Sequence, residues 1–384
     1  MNSHPKIAFI HDWLVEFGGA EQVLAALLEV WPEAPIYTIV YDPDGPCGQL
    51  LAGKRVVTSF IQNFPGAPRR YRSYLAFMPM AIEQLDLRAY DILLSLSYSV
   101  AHGVLPQNHQ LHINYIHLPA RYAWHQFHDY LSYPSFPTGI KSWLARLTLH
   151  YLRIWDTAAA QRVDEFVANS RWTAQNVWRY YRRNAQVIYP PVDIGLFEPA
   201  AEKKDYYLSV SRLVPYKRVD LIVKAFTAMP EKRLMVIGDG PELSQVRKLA
   251  GDNVQFLGYQ PAPATAQHMK SARALVYAAL EDFGIAPVEA QACGTPVIAY
   301  GKAGALETVI DGKTGVLFHE QTVESLIEAV RIFDSGDIAF NPAELRSNAE
   351  RFAKKRFQQE MQSYIESSWQ SFLSAGRTTA PGRS

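Results

Sequence analysis

The stretch EDFGIAPVEAQACGTPVIAYG, residues 281–301, decides how this 384-residue chain is read. A short apolar run, ARALVYAAL, precedes it and reads as a strand. An acidic loop follows, then APVEAQACG, which reads as a helix, and a tight G-T-P-V turn into another strand. Strands alternating with helices form a parallel sheet, which binds ligands at the carboxyl ends of its strands, where the next helix begins. The N–H groups of Phe283, Gly284 and Ile285 fall at that helix start, unpaired within the helix and able to hold a phosphate or a sugar hydroxyl. Glu281 and Glu289 frame the turn, and Glu289, roughly one turn into the helix, is placed to point back at the same ligand. One acid on a buried helix is incidental; a pair framing a glycine reads as a site.

The alternation extends outward on both sides. YYLSVSRL, RLMVIGDG, VQFLGY, ALVYAAL and TPVIAY read as strands, and VDLIVKAFTAM and PELSQVRKLA as helices, a Rossmann-like domain entered near residue 205. Upstream, KIAFIHDW reads as a buried strand, and EFGGAEQVLAALLEVWPEA as a Gly18-Gly19 turn opening an amphipathic helix. Such a turn lets a ligand phosphate approach the backbone, although Gly18-Gly19 is only part of a dinucleotide fingerprint. PIYTIVYD reads as a second strand, and DILLSLSYSVAHGV as a third that ends in a serine-rich loop at Ser95, Ser97 and Ser99. HINYIHLPARYAW reads as a fourth that stops at His117, and VDEFVANS as a fifth, with Asn169-Ser170 capping the next helix. QVIYPPVDIGLFEPAAEKKD, with its paired prolines and charged run, reads as a linker. RFAKKRFQQEMQSYIESSWQSFL reads as a terminal amphipathic helix. The expectation is an α/β chain with Rossmann-like domains over 1–195 and 196–358 facing a central cleft, a terminal helix over 359–376 and a disordered tail over 377–384.

Composition narrows the function. A hydrophobic content of 48% with 20% charged residues describes a globular protein, and a net charge of +1 argues against a basic nucleic-acid binder. Cys47 and Cys293 make neither a disulfide framework nor a metal site. Nothing resembles a signal peptide or a membrane span, so the sequence reads as cytoplasmic. Asp42-Pro43-Asp44 is formally a D-x-D metal pair, but in DPDGPCG it reads as a surface turn. His112, His117, His125 and His128 match no zinc spacing. No G-x-S-x-G elbow and no P-loop occurs.

Two cations stand where a diphosphate leaving group would need them. SRLVPYKRVD places Arg212 at a strand end and Lys217 five positions on, at a helix start. GDGPE, with Gly238, and LGYQP, with Tyr259, end the next two strands and suit close approach of the flat face of a base.

Taken in order, FGGAEQV, YIHLPARYAW, ANSRWTAQNV, VIYPPVD, SRLVPYKRVDLIVKAF, VIGDGPE, FLGYQP, EDFGIAPVEAQACGTPVIAY and ETVIDGKTGVLF resemble the family-four retaining glycosyltransferases of the GT-B fold. Within that family the resemblance points to the WbaZ-like bacterial O-antigen and exopolysaccharide mannosyltransferases. It implies an acceptor-side first domain, a nucleotide-sugar-binding second domain, and a last helix that crosses back to the first. It implies that Glu289 binds the ribose, and that Glu281 and the N–H groups after it hold the donor sugar. Arg212 and Lys217 would hold the diphosphate, Gly19 would approach it, and His117 would lie near the reacting carbon. It also implies a nucleotide-sugar substrate, most simply GDP-mannose, no metal or other cofactor, and a lipid-linked glycan acceptor in cell-surface polysaccharide synthesis. A UDP-sugar such as UDP-glucose is the alternative donor, and an inactive nucleotide-sugar sensor or assembly partner the non-enzyme alternative. The chain departs from the family at GKAGALE, where Ala303 stands in place of a glycine.

Two segments bear on the acceptor. RRYRSYLAFMPMAI, from Arg69 to Ile82, and KSWLARLTLHYLRIW, from Lys141 to Trp155, interleave basic with aromatic and aliphatic residues. They fit either peripheral contact with the inner face of the plasma membrane or ordinary packing on the first sheet.

Overall fold

A computed structural model of the chain describes residues 5–125, 127–128, 139–199 and 202–376. The tail expected over 377–384 lies outside these residues. The chain forms two compact units, Met1–Tyr189 with Gln358–Ser384, and Pro190–Phe357.

The first unit is built on seven parallel strands: β1 (Ile7–His11), β2 (Ile36–Thr38), β3 (Val56–Thr58), β4 (Ile92–Ser97), β5 (Leu111–Ile116), β6 (Glu165–Ala168) and β7 (Ala185–Val187). Their order is β3-β2-β1-β4-β5-β6-β7. The central strands IAFIH, ILLSLS and LHINYI are buried along their whole length, as a sheet covered on both faces requires. The order reverses between β1 and β4, and the loops leaving their carboxyl ends flank a switch-point crevice. Ser95 and Ser97 lie inside β4 rather than in a loop after it. Ser95 Oγ is 2.8 Å from His112 Nε2 and Ser97 Oγ accepts from Asn114 Nδ2 at 2.9 Å, both across to β5. Buried serines broke the apolar run and imitated a loop. The edge strands β3 and β7 escaped notice because each is three residues long and partly exposed. The start of the expected linker, QV, therefore belongs to the first sheet.

The second unit has six parallel strands: β8 (Tyr207–Val210), β9 (Leu234–Ile237), β10 (Val254–Gly258), β11 (Leu275–Tyr277), β12 (Val297–Tyr300) and β13 (Gly315–Phe318), in the order β10-β9-β8-β11-β12-β13. Its switch point lies between β8 and β11. Tyr207, Phe226, Val236, Ile298 and Leu326 form the centre of its core.

The terminal helix runs over Lys354–Ser374. Phe357, Met361, Ile365, Trp369 and Phe372 are buried at spacings of four, four, four and three, one helical stripe. From Gln358 onward the helix belongs to the first unit. Gln358 Nε2 donates to Ala26 O at 2.9 Å and to Glu29 Oε2 at 2.8 Å, and the Tyr364 hydroxyl donates to Glu165 at the start of β6.

Candidate functional site

In the second unit the strand order brings two distant loops together. β8 and β11 are neighbours, so the loop after each leaves the sheet's carboxyl edge at the switch point. Lys217 closes the short 3-10 turn Pro215–Lys217 that follows β8. Its Nζ lies 2.5 Å from Glu281 Oε2, with only 16% and 14% of the two side chains exposed. Tyr277, the last residue of β11, donates its hydroxyl to the same carboxylate oxygen. The Lys217 ammonium also stands 5.6 Å from the Tyr216 ring and 5.9 Å from the Tyr277 ring. The sequence assigns Lys217 to a diphosphate and Glu281 to a sugar; in the folded chain they are one ion pair with a tyrosine on its shared oxygen. Tyr277 was missed. Its only signal is a tyrosine at a strand end four residues before Glu281.

Helix Ile285–Ala292 begins beside this pair. Gly284 precedes it at φ 87°, and a Cβ there would lie 3.1 Å from the Tyr277 hydroxyl. Phe283 is buried with its ring 5.3 Å from Phe352, which anchors the turn. The Gly304 N–H donates to Glu281 O at 2.9 Å, and a Cβ at Gly304 would come within 2.3 Å of the Phe283 backbone. Ala303, just before it, is held at φ 51°. Ile285 is half-buried at the helix start. Glu289 lies further along this helix, half-buried, and burial pushes its carboxyl up to about 7. Among the described residues its side chain makes no hydrogen bond or ion pair. Arg212 is exposed two residues past β8, and Tyr259, just past β10, is 77% exposed. Gly238 has φ 134°, and the space of its missing Cβ is filled by Ser211 O at 1.8 Å. That glycine serves the chain's own packing.

The first unit has its own cluster at the β1/β4 switch point. Gly19 opens helix Gly19–Val30, and the N–H of Gly18 donates to Glu21 Oε2 at 2.7 Å. Gly18 has an extended backbone, φ −154°. Asp12 accepts the N–H groups of Tyr98, Val100 and Ala101 at 2.6–2.7 Å, binding the end of β1 to the loop after β4. His117 follows β5 directly. Its N–H donates to Ser97 O at 2.8 Å and its carbonyl accepts from Thr173 Oγ1 at 2.9 Å. Its imidazole is buried beside Tyr115 and Tyr98, with no hydrogen-bond partner for Nε2 among the described residues. Burial, then the Arg121 charge, push it down to about 3, so the ring is neutral. Asp44 N–H bonds Asp42 Oδ1 at 3.3 Å within a turn, and among the described residues no three His, Cys, Asp or Glu side chains converge as metal ligands.

The comparisons with known proteins agree with this architecture. A family model described as "Glycosyltransferase Family 4" matches residues 17–196, and one described as "Glycosyl transferases group 1" matches residues 197–356. The chain belongs to glycosyltransferase family 4. Among its relatives, this family-4 chain is 34% identical, over 184 residues, to a GDP-mannose-dependent alpha-(1-6)-phosphatidylinositol monomannoside mannosyltransferase of Mycolicibacterium smegmatis, covering 40% of the chain and 46% of that protein. It is 28% identical over 203 residues to a D-inositol 3-phosphate glycosyltransferase of Mycobacteroides abscessus, covering 46% of each. The chain thus spans about half the length of the curated relatives it matches. The Anabaena protein HepE, solved in complex with UDP, superposes with a TM-score of 0.69 at 20% identity, covering 94% of this chain and all of that one. At that identity the likeness shows the fold, two Rossmann-like domains of the GT-B type.

Proposed function

We propose that this family-4 chain is a retaining glycosyltransferase that moves mannose from GDP-mannose onto a lipid-linked glycan in bacterial cell-surface polysaccharide synthesis. The observation that carries the reading is the Lys217–Glu281–Tyr277 cluster beside the start of helix Ile285–Ala292, with Glu289 left unpartnered on that helix. Glu289 accepts the ribose hydroxyls. Glu281, tied by Tyr277 and Lys217, holds the sugar together with the N–H groups of Phe283, Gly284 and Ile285. As the bond from the sugar's anomeric carbon to phosphate oxygen breaks, Lys217 and Arg212 take up the charge developing on the diphosphate. The acceptor hydroxyl attacks the same face of that carbon, and its proton passes to the departing phosphate oxygen. No protein nucleophile is required, only charge and position. Tyr259 completes the donor contacts of the second unit, and in the first unit neutral His117 and the Gly18-Gly19 turn are available to a sugar hydroxyl and a phosphate. Cationic side chains hold the diphosphate in place of a metal, so transfer should persist in a chelator. Loss of transfer in a chelator, restored by a divalent ion, would overturn that part. The name of the M. smegmatis relative supports GDP-mannose, whereas the UDP complex of HepE favours a UDP-sugar. A panel of nucleotide sugars, read first as thermal stabilisation and then as transfer, decides between them.

The acceptor side is supported by helix Ile140–Ala160. It exposes Ile140, Trp143, Leu144, Leu147, Tyr151 and Ile154 at helical spacing, and residues 140–155 contain no acid. Leu75, from the other basic–apolar segment, packs against its buried Leu149 and Leu152, and Phe77 and Met80 of that segment are exposed. No helix among the described residues is long and apolar enough to cross a membrane. An apolar stripe with cationic flanks fits an anionic bilayer surface. Trp143→Ala with Leu147→Ala should weaken sedimentation with anionic liposomes at low salt at least tenfold, and unchanged sedimentation would refute the contact.

A further inference from the structure

Behind the Gly18-Gly19 turn lies a pair that the proposed reaction does not use. Glu21 is 4% exposed, and its two carboxyl oxygens face different partners. Oε2 accepts the Gly18 N–H at 2.7 Å, while Oε1 faces His11 Nε2 at 3.7 Å. His11 is fully buried at the end of β1, and its Nδ1 lies 3.0 Å from Trp13 O. A carbonyl oxygen only accepts, so Nδ1 carries the imidazole's proton and Nε2 presents a bare lone pair. Nε2 has no hydrogen-bond partner among the described residues. An ionised Glu21 would set an acceptor against an acceptor in a buried site. A protonated Glu21 removes that opposition: its carbonyl oxygen takes the Gly18 N–H, and its hydroxyl faces the His11 lone pair across 3.7 Å, beyond hydrogen-bond distance.

We infer that Glu21 is a positioning residue: as a neutral carboxyl facing His11, it fixes the Gly18-Gly19 turn through the Gly18 N–H and leaves the start of helix Gly19–Val30 open to an anionic, phosphate-bearing ligand. That the ligand is a nucleotide sugar rests on the function proposed above. A helix N-terminus carries roughly half a positive charge, and a full negative charge in its first turn would cancel it. The neutral acid keeps that field available. His117, beside the same crevice, offers a second buried and unpartnered Nε2. The neighbours leave Glu21 as the proton's seat. Burial, then His117, push His11 down to about 3. Asp12 is spoken for by three backbone N–H groups. Burial pushes the Cys47 thiol up to about 12 and the Tyr98 phenol well above its ordinary range. Glu16, with Asp12, adds negative charge that supports burial in raising Glu21 to about 7.

The sign follows. Glu21 loses its proton as pH rises through about 7, so donor KM should climb above that point, by up to about tenfold per pH unit. A nucleotide sugar's diphosphate is doubly esterified and does not titrate there. Glu289, which binds best when ionised, acts in the opposite sense, so the test compares variants instead of reading one profile. In Glu21→Gln the amide keeps the bond to Gly18 and cannot ionise, and the rise in KM above pH 7 should vanish. In Glu21→Ala the turn is unheld: donor KM should rise at every pH, and hydrogen exchange over residues 14–24 should quicken several-fold relative to Glu21→Gln. A Glu21→Gln profile that still climbs like the wild type, or unchanged exchange in Glu21→Ala, would overturn the inference. If the wild type uses no nucleotide sugar, the proposed function fails, and the exchange arm still decides the role of Glu21.

Discussion

Glu281 receives two donors on one oxygen, and this makes Tyr277 the most informative single substitution at the second-unit site. Tyr277→Phe removes a charge-assisted hydrogen bond worth about 1.5–3 kcal/mol while leaving the ring in place. We expect kcat/KM for transfer to fall roughly 10- to 100-fold with little change in fold; steady-state kinetics and circular dichroism check both. Glu289 tests the cost of keeping an acid half-buried without a partner. Its carboxyl stands near 7 in the folded chain against an ordinary 4.5, so the unfolded chain ionises first and stability falls as pH rises between those values. Glu289→Gln should raise the melting temperature at pH 8, by the equivalent of about 1–3 kcal/mol, and the gain should shrink to nothing as pH approaches 4.5. A variant no more stable than wild type at pH 8 would contradict this. The placement of Lys217 and Glu281 in the loops after β8 and β11, and of Glu289 on the helix that follows, was legible in the sequence because each sits at a fixed offset from a strand end or a glycine. Tyr277, Glu21 and His11 were not, because their roles depend on which loops become neighbours, and strand order sets that.

At the scale of elements, the loop after β12 carries local strain. Ala303 adopts a left-handed conformation that L-residues resist by about 1–2 kcal/mol. Ala303→Gly should therefore stabilise the second unit by about 1 kcal/mol, measured by denaturant midpoint. Gly304→Ala, forced against the Phe283 backbone, should destabilise it and weaken donor binding together, since Gly304 also bonds the Glu281 carbonyl. Away from the proposed site, Tyr207, at the start of β8, and Arg273, before β11, both donate to Asp334 Oδ1 at 2.6 Å, and Lys232 pairs with Oδ2. Despite burial, Lys232, Tyr207 and Arg273 hold this carboxyl below its ordinary range. A depressed carboxyl stabilises the fold above its unfolded pKa and loses that contribution as pH falls. Asp334→Asn should destabilise by about 1–3 kcal/mol at pH 7 and approach wild type in acid. The long apolar strands were plain in the sequence. The missed strands β3 and β7 have three residues each at a sheet edge, where partial exposure erases the apolar signal.

For the whole molecule, the sequence motifs established two Rossmann-like halves and their family, because both depend on the order of many short segments. The donor's base and sugar are not legible in the same way: backbone N–H groups, cations and carboxylates recognise any nucleoside diphosphate sugar. The terminal helix belongs to the first unit's stability. Met361 is fully buried on it, and Met361→Ala should cost about 2–5 kcal/mol in the unfolding of that unit, with exchange protection in helix Gly19–Val30 falling in parallel. On the proposed function, the second unit's Lys217–Glu281 pair receives a nucleotide-sugar diphosphate and its sugar. The most direct test is calorimetric titration of wild type, Lys217→Ala and Glu281→Ala with GDP-mannose and UDP-glucose, followed by transfer with the better ligand. We expect binding of at least one donor by the wild type, with affinity and transfer each reduced by at least tenfold in both variants. Equal affinity and transfer within twofold of wild type in either variant would contradict it.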